Sequence, residues 1–336
     1  MINKHSIYNW LFFPLLASLL AGSVASCIND PAMEETTSGK STLSITVRGV
    51  STEPVSDEYI QTLRIIGFDE KGAVVCNDLH SVTGSQIKND VLNITQTMKD
   101  AFQGGVCDFY FIANEREYNV YTENNSLTNF LNNVENQTSL EACVISTPST
   151  NQPFMPSEAT PILMTTSVRT TLRPGDNTIN NIELVRCFAK IQLKIVDETG
   201  IAHIGDENKL TGTYPDSYSL WNGGTYIDWN EGAYSVSLTL TETEDNAISY
   251  TSQEIYFPER LFTHDANKEA NALKFSFTLN GTSYTAAVAD AAGKDFNIRR
   301  NTHYTVIATL KKKETVTFNV MVNAWGEKTM DVPAFE

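Results

Sequence analysis

From Ser41 to Gly49 the chain reads Ser-Thr-Leu-Ser-Ile-Thr-Val-Arg-Gly. Leu43, Ile45 and Val47 alternate with Ser44, Thr46 and Arg48, the period-two pattern of a strand with one buried face. The segment after it, Gly49 to Glu58, carries a proline, serines and acids and no apolar run, so the strand could be cut off without unravelling the rest of its domain. Ile60 to Phe68 predicts a second strand, turned by Asp69-Glu70-Lys71-Gly72 into Ala73 to Cys76. Val91 to Ile94 is a further candidate, and Gly104-Gly105 introduces Val106 to Ala113, an apolar and aromatic run suited to a central strand. Ser126 is a capping residue for a helix to Val134, with Leu127, Phe130, Leu131 and Val134 on one face. Thr138 to Val144 predicts a second helical turn, and the three prolines within Ser146 to Thr160 make that stretch loop.

Pro161 to Thr165 and Asn180 to Val196 read as strands on either side of the turn Arg173-Pro174-Gly175-Asp176-Asn177. The second is long for one strand and is expected to cross between domains. Beyond it the pattern is almost all β: Tyr214 to Trp221, Ala233 to Leu240, Glu254 to Phe257, Leu273 to Leu279, Tyr284 to Val288, His303 to Leu310 and Thr315 to Val322. Asn222-Gly223-Gly224, Asn280-Gly281 and Ala292-Gly293 punctuate these strands. Short strands at such spacing, without helical periodicity between them, predict two β-sandwich domains in tandem, over residues 41–184 and 185–336. A length of 336 residues gives each domain room for its own core.

The N-terminus changes the picture. Lys4 and His5 precede an apolar stretch from Trp10 to Ala25, too short and too interrupted for a membrane span. Val24-Ala25-Ser26-Cys27 resembles a bacterial lipobox; the competing reading is an ordinary signal peptide. On the lipobox reading, residues 1–26 are a signal peptide and Cys27 is the lipidated first residue, carrying palmitate-type chains. Each buried CH₂ of such a chain adds about 0.8 kcal/mol of anchoring. Residues 27–40 are then a polar tether with a reach of roughly 40 Å. A net charge of -16 argues against nucleic acid and against charge-driven binding to an acidic membrane. Cys76, Cys107, Cys143 and Cys187 lack metal-site spacing; export permits disulfides in three possible pairings, while buried free thiols are the favoured reading.

Chemistry is thin. His80, His203, His264 and His303 stand at no metal-ligand spacing, and no G-x-S-x-G, phosphate loop or dinucleotide fingerprint occurs. The expectation is therefore a protein that is not an enzyme and has no metal or cofactor. Glu34-Glu35 and Asp57-Glu58 read as solvated charge. Tyr214, Tyr218, Trp221, Tyr226 and Trp229, with Asn222, Asp228 and Asn230, form either a sugar-binding platform or the packing of a sandwich end, and packing is favoured.

Four places in the sequence carry a resemblance to a known family. They are the Cys27 lipobox followed by a strand and Arg48; Gly104-Gly105-Val106 through Phe111-Ile112-Ala113-Asn114; Pro161 to Thr165 followed by Leu184-Val185-Arg186-Cys187-Phe188-Ala189-Lys190-Ile191; and Ile298 to Tyr304 with Val320-Met321-Val322-Asn323-Ala324-Trp325. In this order they resemble the FimA-like major pilins of type V pili, the lipoprotein-derived fimbrial subunits of Bacteroidales. The resemblance implies two transthyretin-like β-sandwiches, exported as an outer-membrane lipoprotein. An arginine-specific protease then removes the first strand, here by cleavage between Arg48 and Gly49. The vacated groove accepts a C-terminal donor strand from another subunit, and an extracellular adhesive fimbria grows. The donor is expected within Thr315 to Glu336, through Val316, Phe318, Val320, Val322, Val332 and Phe335. Two readings of Thr315 to Trp325 stay open: donor strand, or last strand of its own domain with a detachable tail of residues 327–336. The partners implied are other fimbrial subunits, the protease, the outer membrane before cleavage, and surface ligands. The alternative is a permanently lipid-anchored anchor or tip subunit, or a glycan-binding surface lipoprotein.

Overall fold

The computed structural model describes residues 41–51, 57–100, 102–121, 125–147, 154–223, 231–245, 247–262, 268–311 and 315–325, all within one compact unit, Lys40–Glu336. The fold is mainly β. In its first half the elements are β1 (Thr42–Arg48), β2 (Thr62–Asp69), β3 (Val74–Ser81), β4 (Ile87–Lys88), β5 (Val91–Thr97), β6 (Gly105–Ala113), β7 (Asn119–Val120) and β8 (Asn125–Ser126). Helices α1 (Leu127–Asn132) and α2 (Gln137–Glu141) come next, then β9 (Val144–Ser146), β10 (Met164–Leu172), β11 (Asp176–Glu183) and β12 (Val185–Arg186). The second half holds β13 (Phe188–Asp197), β14 (Lys209–Pro215), β15 (Ser217–Ser219), β16 (Glu231–Ser237), β17 (Leu240–Asp245), β18 (Ala247–Ser252) and β19 (Ile255–Pro258). It closes with α3 (Lys268–Asn271), β20 (Lys274–Leu279), β21 (Thr282–Ala287), β22 (Thr302–Lys311) and β23 (Thr315–Ala324).

Two sheets make the first half, in the orders β11-β1-β5-β4 and β12-β10-β6-β2-β3. The central strands of the second sheet are buried on both faces, which is why β2 and β6 are nearly continuous apolar runs. Alternation assigns Leu63, Ile65, Phe109 and Phe111 to one face and Arg64, Ile66, Tyr110 and Ile112 to the other, the side covered by α1 and α2. Ser126 caps α1 by accepting a hydrogen bond from the Asn129 amide, and Leu127 and Leu131 bury its inner face. A small sheet, β15-β9-β7-β8, brings Ser217–Ser219 of the second half onto the first.

The second half is a sandwich of sheets β17-β18-β13-β22-β23 and β16-β14-β20-β21. Its core gathers Ile191, Leu193 and Ile195 with Phe275, Phe277, Val306, Ala308 and Leu310. Asn280 and Gly281, with φ of 51° and 76°, make the tight turn between β20 and β21, a backbone shape that glycine and asparagine tolerate.

The long stretch 180–196 is three strands broken at Leu184 and Cys187, and it does pass from the first half's sheets into the second half's. Two expectations need correction. The strand expected at Pro161 to Thr165 runs from Met164 to Leu172; beyond Thr165 it has β6 on one side only, so its outer residues are polar and hide it in the sequence. The hairpin β17–β18 is absent from the sequence reading, since Thr-Glu alternation on an exposed edge carries little apolar signal.

Candidate functional site

β1 is not an edge. It lies between β11, which runs parallel to it, and β5, which runs antiparallel, and its main chain is used on both sides. Leu43, Ile45 and Val47 are at most 1% exposed. Burying each stabilises by about 1.5–3 kcal/mol, on the order of 5–9 kcal/mol for the three. Taking β1 away would leave two facing rows of unpaired backbone groups and an apolar slot one strand wide. Thr42 and Thr46 add hydrogen bonds to Asp176 and Asn180 on β11, at 2.5 and 3.5 Å.

Arg48 is the last residue of β1, opposite Val91 and Glu183, and it is exposed. Gly49 comes after it with φ of 65°, a left-handed conformation that ends the strand and that a β-branched residue would strain. Val50 turns back into the core at 1% exposure, and Ser51 bridges to Tyr59. The segment after the strand is thus pinned at both ends, more closely than its composition suggests. Arg64, another arginine in a strand, is 1% exposed and closed off by Glu115, with two contacts of 2.7 Å.

β23 occupies a different environment. All ten of its residues pair with β22, and it forms the outer edge of its sheet. Val316 and Val320 are half-buried against the core, whereas Phe318 is 43% and Val322 39% exposed. Phe318 leans on Phe277 and Tyr284 of the opposite sheet, with ring centroids 6.2 and 6.4 Å away. Val332 and Phe335, like Cys27, lie outside the described residues.

At the end of β23 sits a polar clamp that the sequence does not reveal. Trp325 donates its indole N–H to Asp57 Oδ2 at 3.1 Å and its backbone N–H to Asn301 O at 2.8 Å. Asp57 also pairs with Lys190 and accepts from the Tyr256 hydroxyl at 2.5 Å. Arg186 donates to the Asp57 carbonyl at 3.0 Å and to Asn301 at 3.1 Å, and its guanidinium lies 5.0 Å from the Trp325 ring centre. Lys190 stands 5.1 Å from the same ring. Burial and then the bond to Asp57 push the Tyr256 phenol far above its usual range. The expectation that Asp57 is solvated loop charge is therefore overturned: its side chain is 18% exposed and holds the start of β2's approach to the end of β23. In the sequence, Arg186, Ala189-Lys190 and Asn301 stand out only as pieces of a resemblance; nothing in their spacing points to Asp57.

The remaining candidates are structural. Cys76, Cys107, Cys143 and Cys187 are buried free thiols, and burial first, then Asp78, raises Cys76 to about 12. Tyr214, Tyr218 and Trp221 are buried, as packing requires, while Tyr226, Asp228, Trp229 and Asn230 lie outside the described residues. His80 bonds Gln96 at 2.8 Å, and no group of three metal-binding side chains occurs among the described residues. A second buried ion pair, Arg300 with Glu259 at 2.7 Å, also holds the carbonyls of Ser219 and Leu220 at 2.7 and 3.1 Å, fixing the segment that pairs with β9.

Residues 40–186 match the family model described as major fimbrial subunit protein (FimA). Among solved structures, the C-terminally truncated tip fimbrial protein of Porphyromonas gingivalis is similar, with a TM-score of 0.60 and 16% identity over 85% of this chain and 100% of that one. A fimbrial assembly protein of Parabacteroides distasonis is similar too, with a TM-score of 0.51 and 14% identity over 84% of this chain and 99% of that one. No curated protein matches in sequence. At such identities the structural likeness concerns the fold.

Proposed function

We propose, on the premise that residues 40–186 match the model of the FimA major fimbrial subunit family, that this chain is a subunit of a cell-surface fimbria that polymerises by exchanging β1 for a neighbour's C-terminal segment. The carrying observation is β1 itself: a strand inside its sheet whose apolar face, Leu43, Ile45 and Val47, is fully buried and which ends at an exposed arginine. In this reading the precursor is tethered through acylated Cys27, and an arginine-specific protease cuts between Arg48 and Gly49. The slot between β5 and β11 then takes a strand from the next subunit through main-chain bonds and alternate apolar side chains. The donor comes from within Thr315 to Glu336. Its candidate side chains are Val316, Phe318, Val320 and Val322 on β23, and Val332 and Phe335 beyond it. A head-to-tail contact of this kind does not close on itself and gives a filament. The slot and the clamp are built from main-chain pairing, apolar packing and fixed ion pairs, which suits a structural role.

Mass-spectrometric reading of the N-terminus of assembled protein tests this. A terminus at Gly49 is expected, and fibres that retain residues 41–48 would overturn it. A second reading is supported by the full-length pairing of β23 with β22: if β23 stays seated, only residues 327–336 can be donated, and the chain suits an anchor or tip position. Acylated Cys27 in the mature form would favour the anchor.

A further inference from the structure

A cleft of about 640 Å³ opens on the helical side of the first half, between α2, the start of β10 and the turn after β15. Its size falls in the range of small-molecule sites. Two aromatic rings form its inner corner, Tyr110 and Trp221, packed edge to face with centroids 4.9 Å apart. Neither ring is free to swing. The Trp221 indole donates to the Leu140 carbonyl at 2.6 Å. The Tyr110 hydroxyl donates to Glu141 Oε1 and accepts from Gln137 at 2.9 Å.

Glu141 is exposed at the end of α2. Gln137 donates to its Oε1 at 3.0 Å, so Oε1 is used twice while Oε2 makes no hydrogen bond among the described residues. Ser167, exposed on β10, also lines the cleft and stands directly opposite Tyr110 in the β10–β6 register, which puts its hydroxyl on the cleft's side of the sheet. The exposed amide of Asn222 closes the rim from the second half of the chain. It is carried there by the pairing of β15 with β9 and by the Leu220 amide, which donates to the Cys143 carbonyl at 3.0 Å.

We infer that this cleft is a binding site for a neutral, hydroxyl-rich ligand, a sugar residue of a surface glycan. One pre-oriented carboxylate oxygen, an amide and the Ser167 hydroxyl suit the alternating donors and acceptors of a sugar's hydroxyl groups, while Tyr110 and Trp221, both buried, fix the cleft's inner wall. No lysine, arginine or histidine lines the cleft among the described residues, which disfavours phosphate or sialic acid. A cationic side chain is the rival ligand, and the cleft offers it one carboxylate only, Glu141, among its described lining residues. The site involves neither β1 nor β23, so it stands whether or not the assembly reading does.

The test titrates the purified full chain with neutral oligosaccharides ending in galactose, glucose, mannose or N-acetylglucosamine, read by tryptophan fluorescence and by saturation transfer to the sugar. Trilysine is the counter-probe. At least one sugar is expected to bind saturably and to lose about tenfold or more in affinity in Glu141→Ala, as for a lost hydrogen bond to a charged group. Asn222→Ala is the second variant and is expected to lose affinity too; Asn222 is exposed, so the thermal midpoint is expected to hold there, which separates lost binding from the lost Tyr110 bond in Glu141→Ala. Absence of saturable binding by every sugar, binding unchanged in Glu141→Ala, or binding of trilysine alone would each overturn the inference.

Discussion

Single residues in this protein divide into those that hold the scaffold and those that stand at its joints. Arg64 and Glu115 form an ion pair whose side chains are both buried. Glu115→Ala leaves a buried charge unpaired and is expected to cost about 3–5 kcal/mol, read as a fall in the urea midpoint. Buried Cys76 keeps its proton to about pH 12, against 9.0 for an ordinary thiol, and Cys107 to about 11. The folded state therefore binds these protons more tightly than the unfolded state does. Their contribution is complete below pH 9 and is lost as pH rises toward 12. Stability is expected to decline over that window, and alkylation at pH 8 to be negligible until denaturant is added. The thiols are legible as buried from residue type alone; the ion pair is not, because an arginine within a strand reads the same whether its partner lies across the sheet or in solvent.

Among elements, β1 and β23 are opposites: one is central with its apolar face fully buried, the other is marginal with apolar side chains exposed. Replacing both Phe318 and Val322 by serine is expected to change unfolding free energy by about 1 kcal/mol or less, since both are already exposed. Leu193→Ala, in the core of the same sheet, is expected to cost about 2–5 kcal/mol. If β23 is the donated strand, the serine variant also fails to elongate while remaining folded, which light scattering and melting curves separate. Should it elongate normally, residues 327–336 become the donor. The clamp belongs to this scale as well. Asp57→Asn weakens the pair with Lys190 and is expected to raise the hydrogen-exchange rate of the last β23 amides with little change in the first ones.

For the whole molecule, the slot and the β23 end are tied together through Asp57, nine residues after the proposed cut, and Trp325, the end of the described chain. In the proposed cleavage the strand removed is the one that precedes Asp57, which would place the proposed acceptor slot and donor end on one path through the Trp325–Asp57 hydrogen bond. Arg48→Ala is expected to leave the precursor folded, membrane-attached and monomeric, with sedimentation showing no polymer after protease treatment. Normal polymer from that variant would count against strand exchange at this position.

Much of the secondary structure can be read directly from residue order, because strand alternation, capping by Ser126 and the Asn280-Gly281 turn are local and need only near neighbours. So can the apolar face of β1. Its neighbours cannot, since pairing with β11 joins residues 134 apart and leaves no mark in the local pattern. The same limit hides the clamp, whose Trp325 and Asp57 are 268 positions apart, and the cleft, which Asn222 lines together with residues of α2. A strand's buried face comes from its own side chains; what it is buried against is settled by segments far along the chain, through contacts that form when the halves pack.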